Sequence, residues 1–210
     1  VQCANAWIGG HVDNRDEEPL GCLPVYVGPP EGLAETPDLA RDYPLVLSDV
    51  HAYRLCNHSY YTDTPALHAL QPTPWVKINP VTAARYGIAD GQWVWIENDH
   101  GRFKQQAKVS PVVNEKTVHA EHGWWYPEQE ASEPSLFGTF DSNPNNCTRA
   151  FETGEGGIGS AIKSMLCKIY PVQEGDVLPH DVIAEKGDFA AYEPGKPYQV
   201  VEEPVVTVIN

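Results

Sequence analysis

No stretch of this 210-residue chain approaches the roughly 18 consecutive apolar residues of a membrane span, so nothing in it reads as a transmembrane segment. Basic residues are scarce. Fourteen Lys and Arg stand against 29 Asp and Glu, for a formal charge of −15. That excludes a nucleic-acid surface, which draws its affinity from cations on phosphates. Metal-ligand spacing is missing as well: Cys3, Cys22, Cys56, Cys147 and Cys167 form no CxxC pair and no CxxCH haem attachment, and the eight histidines form no HExxH. An odd number of cysteines leaves at least one thiol unpaired, so buried free thiols are expected rather than a metal site built by the protein. Val1–Gly10 lacks an initiating Met, a basic region and an apolar core. It is therefore not a signal peptide, and the chain is expected to start inside a longer protein.

What is present is one domain's worth of chain, with 41% hydrophobic residues, enough to bury a core. The acidity is concentrated in the flanks. Residues 1–45 carry 8 acids and 2 bases, and residues 174–210 carry the same numbers. The stretch 46–173 is only −3, so the middle can accept an anionic ligand without large repulsion.

Periodicity and turn residues give mainly β structure with short helices. Thr36-Pro37 predicts a capped helical turn through Arg41. Tyr43–Val50 is a buried strand, and Pro65 opens a short helix. In "WVKINPVTAARYGIADGQWVWIENDHGRFKQQAKVS", Trp75–Ile78 is a strand and Pro80–Tyr86 a helix stopped by Gly87. Trp93–Asn98 and Phe103–Val109 form a hairpin across Asp99-His100-Gly101, and Thr117–Ala120 is a further strand. Residues 121–159 read as a long polar loop, although Trp124 and Trp125 argue against disorder. Ile162–Tyr170 closes the pattern, and Val205–Ile209 is an edge strand in the acidic tail. Short strands, few helices and glycine turns imply a compact β-barrel.

The unit just quoted resembles the strand–helix–Gly-Ile-x-Asp-Gly–strand–Gly–strand unit of double-psi β-barrels. Further segments follow in the order of the C-terminal molybdopterin guanine dinucleotide-binding domain of the dimethyl sulfoxide reductase family. "LPVYVGPPEGLAETPDLARDYPLVL" resembles that domain's lead-in, and "YPLVLSDVHAYRLCNHSYYTDTPAL" its opening strand with a His-Ser loop. "EHGWWYPE" is similar to the His-Gly-Trp-Trp-Phe-Pro-Glu stretch of one subgroup, and "SNPNNCT" to its Ser-Asn-x-Asn-x-Leu-Thr, with Cys147 in place of Leu. "GSAIKSMLCKIY" looks like its closing strand. One departure stands out: many relatives carry Thr-Gly-x-Arg after the first strand, where this chain reads Ser48-Asp49-Val50-His51.

The resemblance implies a lead-in over 1–42, a double-psi barrel over 43–171 and an acidic extension over 172–210. It implies a piece of a molybdenum or tungsten oxidoreductase of the kind used in anaerobic respiration, inactive by itself. The metal would be held by the cofactor's sulfurs and by no residue of this segment. The partners implied are the rest of the catalytic subunit and an iron–sulfur electron-transfer subunit, and any iron–sulfur cluster would lie in the parent chain only. Compartment stays open between the bacterial cytoplasm and an exported or membrane-associated place set by a signal elsewhere. A stand-alone barrel serving as an interaction or assembly module is the alternative.

Loops between barrel strands leave backbone groups for a ligand, and Asn offers both donor and acceptor to a pterin or purine edge. The resemblance therefore assigns cofactor contacts to His58 and Ser59, to His122, Gly123 and Trp124, to Asn143 and Asn145, and to Ser160 and Lys163. Each has an ordinary reading too: "SNPNN" makes a turn, a loop His or Lys sits at the surface, and Trp124-Trp125 closes an interface with a neighbouring domain. Gly154-Glu155-Gly156-Gly157 lacks the Lys-Ser/Thr of a phosphate loop and is set aside.

Overall fold

The computed structural model describes residues 29–50, 62–148 and 165–179. Six strands close a barrel in the order β1-β5-β2-β4-β3-β6. They are β1 (Leu45–Val50), β2 (Trp75–Ile78), β3 (Trp93–Glu97), β4 (Arg102–Val109), β5 (Thr117–Glu121) and β6 (Met165–Pro171). β1 pairs with β5 and β2 with β4 in parallel, while the other four pairings are antiparallel. The double-psi barrel read from the sequence is present. None of the helices among the described residues is long and apolar enough to cross a membrane.

Alternation along the strands builds the core. In β1, Leu45 and Leu47 point inward; in β4, Phe103, Gln105 and Ala107 do so, with Val76, Ile78, Ile96, Val118, Cys167 and Ile169 completing the interior. Gln105, fully buried, is the exception in chemistry. Its amide nitrogen donates to the Glu121 carbonyl (2.6 Å) and the Ser142 carbonyl (3.0 Å), and its oxygen accepts from the Glu121 amide at 3.1 Å. A buried amide bonded on both sides is stable inside a barrel.

Between β2 and β3, helix α3 (Pro80–Tyr86) has the ends its sequence predicts; α1 and α2 are Leu39–Asp42 and Pro65–His68. Asn79 accepts from the Val81 amide at 2.9 Å, Pro80 occupies the first turn, and Gly87 closes it at φ +64°. No neighbour lies near the Cβ that Gly87 lacks, so the glycine is there for its backbone alone. Gly87→Ala is expected to cost about 1 kcal/mol, read as several-fold faster amide exchange along α3.

Three local expectations change. Helix α1 starts later than the Thr36 cap predicts. The Thr36 hydroxyl instead turns back to Gly32, donating to its carbonyl at 3.0 Å, and Asp38 precedes the helix without capping it. Asn98 leaves β3 to brace the hairpin turn, accepting from the amides of His100 (3.0 Å) and Gly101 (3.2 Å). The stretch after β5 is a folded excursion rather than plain loop. It contains 3-10 turns at Leu136–Gly138 and Pro144–Cys147 around a short helix α4 (Thr139–Ser142).

The chain that follows β6 is bonded to the barrel. Val172 donates to the Trp93 carbonyl (3.0 Å), Asp176 accepts from the indole of Trp95 (2.8 Å), and Val177 accepts from Arg102 (2.6 Å). The edge strand expected at Val205–Ile209, and residues 1–28, lie outside the described residues.

Candidate cofactor site at one end of the barrel

Register places the site. β1 and β5 run parallel, with Val50 opposite Glu121, so their carboxyl ends emerge together. β6 is antiparallel to β1 with Met165 opposite Leu47, so β6 begins at that same end. Trp75 at the start of β2 also lies there, its amide donating to the Glu121 carboxylate at 2.9 Å. β1 therefore ends here at Val50 and β6 begins here at Met165, while His58, Ser59, Ser160 and Lys163 are read from the sequence as cofactor contacts. These four residues themselves lie outside the described residues.

Immediately after β5 the chain is fixed tightly. The His122 amide donates to the Val50 carbonyl at 3.0 Å, and Nδ1 of its ring lies 2.8 Å from the carboxylate of Asp49. Gly123 then turns at φ +73°, a conformation that glycine takes without strain, and drives Trp124 inward. Trp124 is 1% exposed and packs within this domain, on His68 of α2 (ring centroids 6.5 Å apart) and edge-on to Tyr126 (6.4 Å). Leu67 and Trp93 complete the cluster. The aromatic body is thus engaged here rather than reserved for a neighbouring domain. Trp125 stacks edge-on against Phe137 at 5.4 Å.

The excursion is bolted to the barrel from below. The Tyr126 hydroxyl meets that of Ser142 at 2.6 Å, and Ser142 is held in turn by Gln105. Burial pushes the Tyr126 phenol up to about 12, the Ser142 bond only partly offsetting it, so the hydroxyl stays neutral across the ordinary range. Asn146 donates to the carbonyls of Arg102 (3.0 Å) and Phe140, and Asn98 donates to that of Cys147 at 2.8 Å. In this way "SNPNNCT" is pinned where β4 begins.

Within it, the Asn143 side-chain oxygen accepts from the Asn145 amide at 3.0 Å and caps the turn. Asn145 is exposed. The turn expected of "SNPNN" is thus present. Sequence reasoning missed Asp49, His68 and Gln105. Only Asp49 left a signal, as a carboxylate at the end of an apolar strand.

Two ring nitrogens in the aromatic cluster, Nε1 of Trp124 and Nδ1 of His68, are buried and have no hydrogen-bond partner among the described residues. Such atoms are uncommon in a folded chain, and a water or a ligand can complete their bonding. Cys147 and Cys167, the described cysteines, play no such part. Burial raises the thiols of both Cys147 and Cys167 far above their ordinary value, so neither offers a thiolate to a metal. Both are expected to resist iodoacetamide in native protein at about pH 8 and to react once guanidinium unfolds it, as peptide mapping would show.

Comparison with known proteins agrees with this geometry. Residues 45–165 match the model of the molydopterin dinucleotide binding domain. Dopamine dehydroxylase of Eggerthella lenta is 39% identical over 122 residues, which is 58% of this chain and 12% of that protein. Acetylene hydratase of Syntrophotalea acetylenica is 34% identical over 115 residues, 55% of this chain and 16% of that protein. Among solved structures, acetylene hydratase from Pelobacter acetylenicus superposes with a TM-score of 0.65 at 29% identity, covering 72% of this chain and 21% of that one. The chain thus spans a small part of the length of the proteins it matches.

Proposed function

Since the chain belongs to the molydopterin dinucleotide binding domain family, we propose that it forms one wall of the site for a molybdopterin guanine dinucleotide in a larger catalytic subunit. The observation that carries this is the register. It gathers the ends of β1 and β5, the start of β6 and the pinned Asn143–Cys147 turn at one end of a closed barrel. The residues fit the group. A pterin or guanine edge carries donors and acceptors together, matching the amide of Asn143 and the nitrogens of Trp124 and His68 that have no hydrogen-bond partner among the described residues.

In this reading His122, Gly123, Trp124, Asn143 and Asn145 meet the dinucleotide, joined by His58, Ser59, Ser160 and Lys163. Gly123 lets the backbone approach a planar ring, and Lys163 supplies a point charge for the diphosphate. When bound, the cofactor supplies the sulfur ligands and electronic chemistry of its metal, molybdenum or tungsten. This chain binds, orients and shields it. The parent is an oxidoreductase, or a hydratase-like enzyme of the His-Gly-Trp-Trp subgroup. Its partners are the remaining domains of the subunit and an iron–sulfur electron-transfer subunit.

The test uses the full-length protein, oxidised to release pterin, with mass spectrometry for guanine nucleotide and elemental analysis for molybdenum and tungsten. We expect about two guanine nucleotides per metal, as a bis form requires. Matured protein with neither pterin nor metal would instead support an assembly module.

A further inference from the structure

Asp49 and His122 lie 73 residues apart in sequence, yet parallel pairing of β1 with β5 brings them to one point. The carboxylate is 4% exposed and the imidazole 15%. A carboxylate that deep costs stability unless donors satisfy it, and Nδ1 of His122 at 2.8 Å is such a donor. The contact does two things to the ring. It requires the hydrogen on Nδ1, and together with the His122 amide bond to Val50 it ties both the backbone and the side chain of His122 to β1. Once Nδ1 is bound to a carboxylate, Nε2 carries the ring's remaining polarity, as a lone pair or as an N–H.

We propose that Asp49 is a positioning residue for the cofactor: it locks His122 in its Nδ1–H form and aims Nε2 at the polar groups of the dinucleotide. The inference rests on the cofactor reading above and assigns a role to a residue that is not among the cofactor contacts read from the resemblance. It follows the general design in which a carboxylate behind a histidine fixes the tautomer and angle of the nitrogen that works.

The experiment compares holoenzyme variants by the rate at which pterin nucleotide is lost from the full-length protein, alongside thermal midpoints. Asp49→Asn should lose it roughly tenfold faster, and Asp49→Glu, which keeps the carboxylate, should recover most of the difference. At position 122, the glutamine amide falls near Nε2 and the asparagine amide near Nδ1. His122→Gln should therefore retain cofactor better than His122→Asn. Combining Asp49→Asn with His122→Asn should speed the loss by less than the two single effects together, because Asp49 acts through the ring.

Additive losses, or asparagine retaining cofactor better than glutamine at 122, would overturn the proposal. If Asp49→Asn does not fold, the order of the two 122 variants decides alone. Wild-type protein without pterin contradicts the cofactor reading itself, and is seen before any variant is made.

Discussion

Trp124→Ala is expected to cost about 3–5 kcal/mol, because it empties a site packed by this domain's own side chains. The indole is 1% exposed, wedged between His68 of α2 and the Tyr126 ring, with Leu67 and Trp93 against it. Truncation leaves a cavity that α2 cannot collapse into, since α2 is a helix of 4 residues tethered just beyond Ala69 and Leu70 by Gln71, which is bonded to the Glu121 carboxylate. Amide exchange in β5 and α2 should accelerate at least a hundredfold. The same measurement on Trp125→Ala should show a far smaller change, because Trp125 is only half-buried, against Phe137. Equal effects of the two substitutions would mean that Trp124 owes its burial to a neighbouring domain.

Gln105→Leu should be comparably severe, for a different reason. Leucine fills the volume but strands three buried backbone groups: the Glu121 amide, the Glu121 carbonyl and the Ser142 carbonyl. At about 1–3 kcal/mol for each buried group left without a partner, part of it recovered by relaxation, the loss comes to about 3–5 kcal/mol. Its location matters more than its size. Glu121 immediately precedes His122, and Ser142 immediately precedes Asn143, so both candidate ligand segments loosen together. The control is Gln106→Leu on the outward side of β4, which gives up one bond from the Thr73 hydroxyl at 2.7 Å and should cost about 1 kcal/mol. Exchange mapping should show the Gln105 effect at both 121–124 and 142–147, and the Gln106 effect at neither.

The elements that the sequence revealed are those whose causes are local. Helix α3 is framed by Asn79-Pro80 and Gly87, all within eight residues of one another, and both ends fall where those residues predict. β2 matches its predicted bounds and β3, β4 and β5 fall within one residue of theirs, because alternation and the Asp99-His100-Gly101 turn are short-range signals. The excursion after β5 was not legible. Its order comes from contacts across the chain, such as Gln105 with Ser142, 37 residues on, and Asn98 with Cys147, 49 residues on. Thr36 misled because a threonine before proline signals a cap, whereas its hydroxyl found the Gly32 carbonyl first.

The site divides along the same line. The motif resemblance pointed to His122, Gly123, Asn143 and Asn145, and the structure places them on segments anchored at one end of the barrel. Asp49 could not be paired with His122 from the sequence, since parallel register across 73 residues leaves no local trace. His68 was equally silent, a histidine in a 4-residue helix that only the inward turn at Gly123 brings against Trp124.

The most direct test of the central claim is a structure of the full-length protein with its cofactor. The expected result is dinucleotide density at the end of the barrel where β1 and β5 finish, with polar atoms within about 3 Å of His122 and of the Asn143–Asn145 turn. Density at the opposite end, beside α3 and the turns that precede β5, would contradict it.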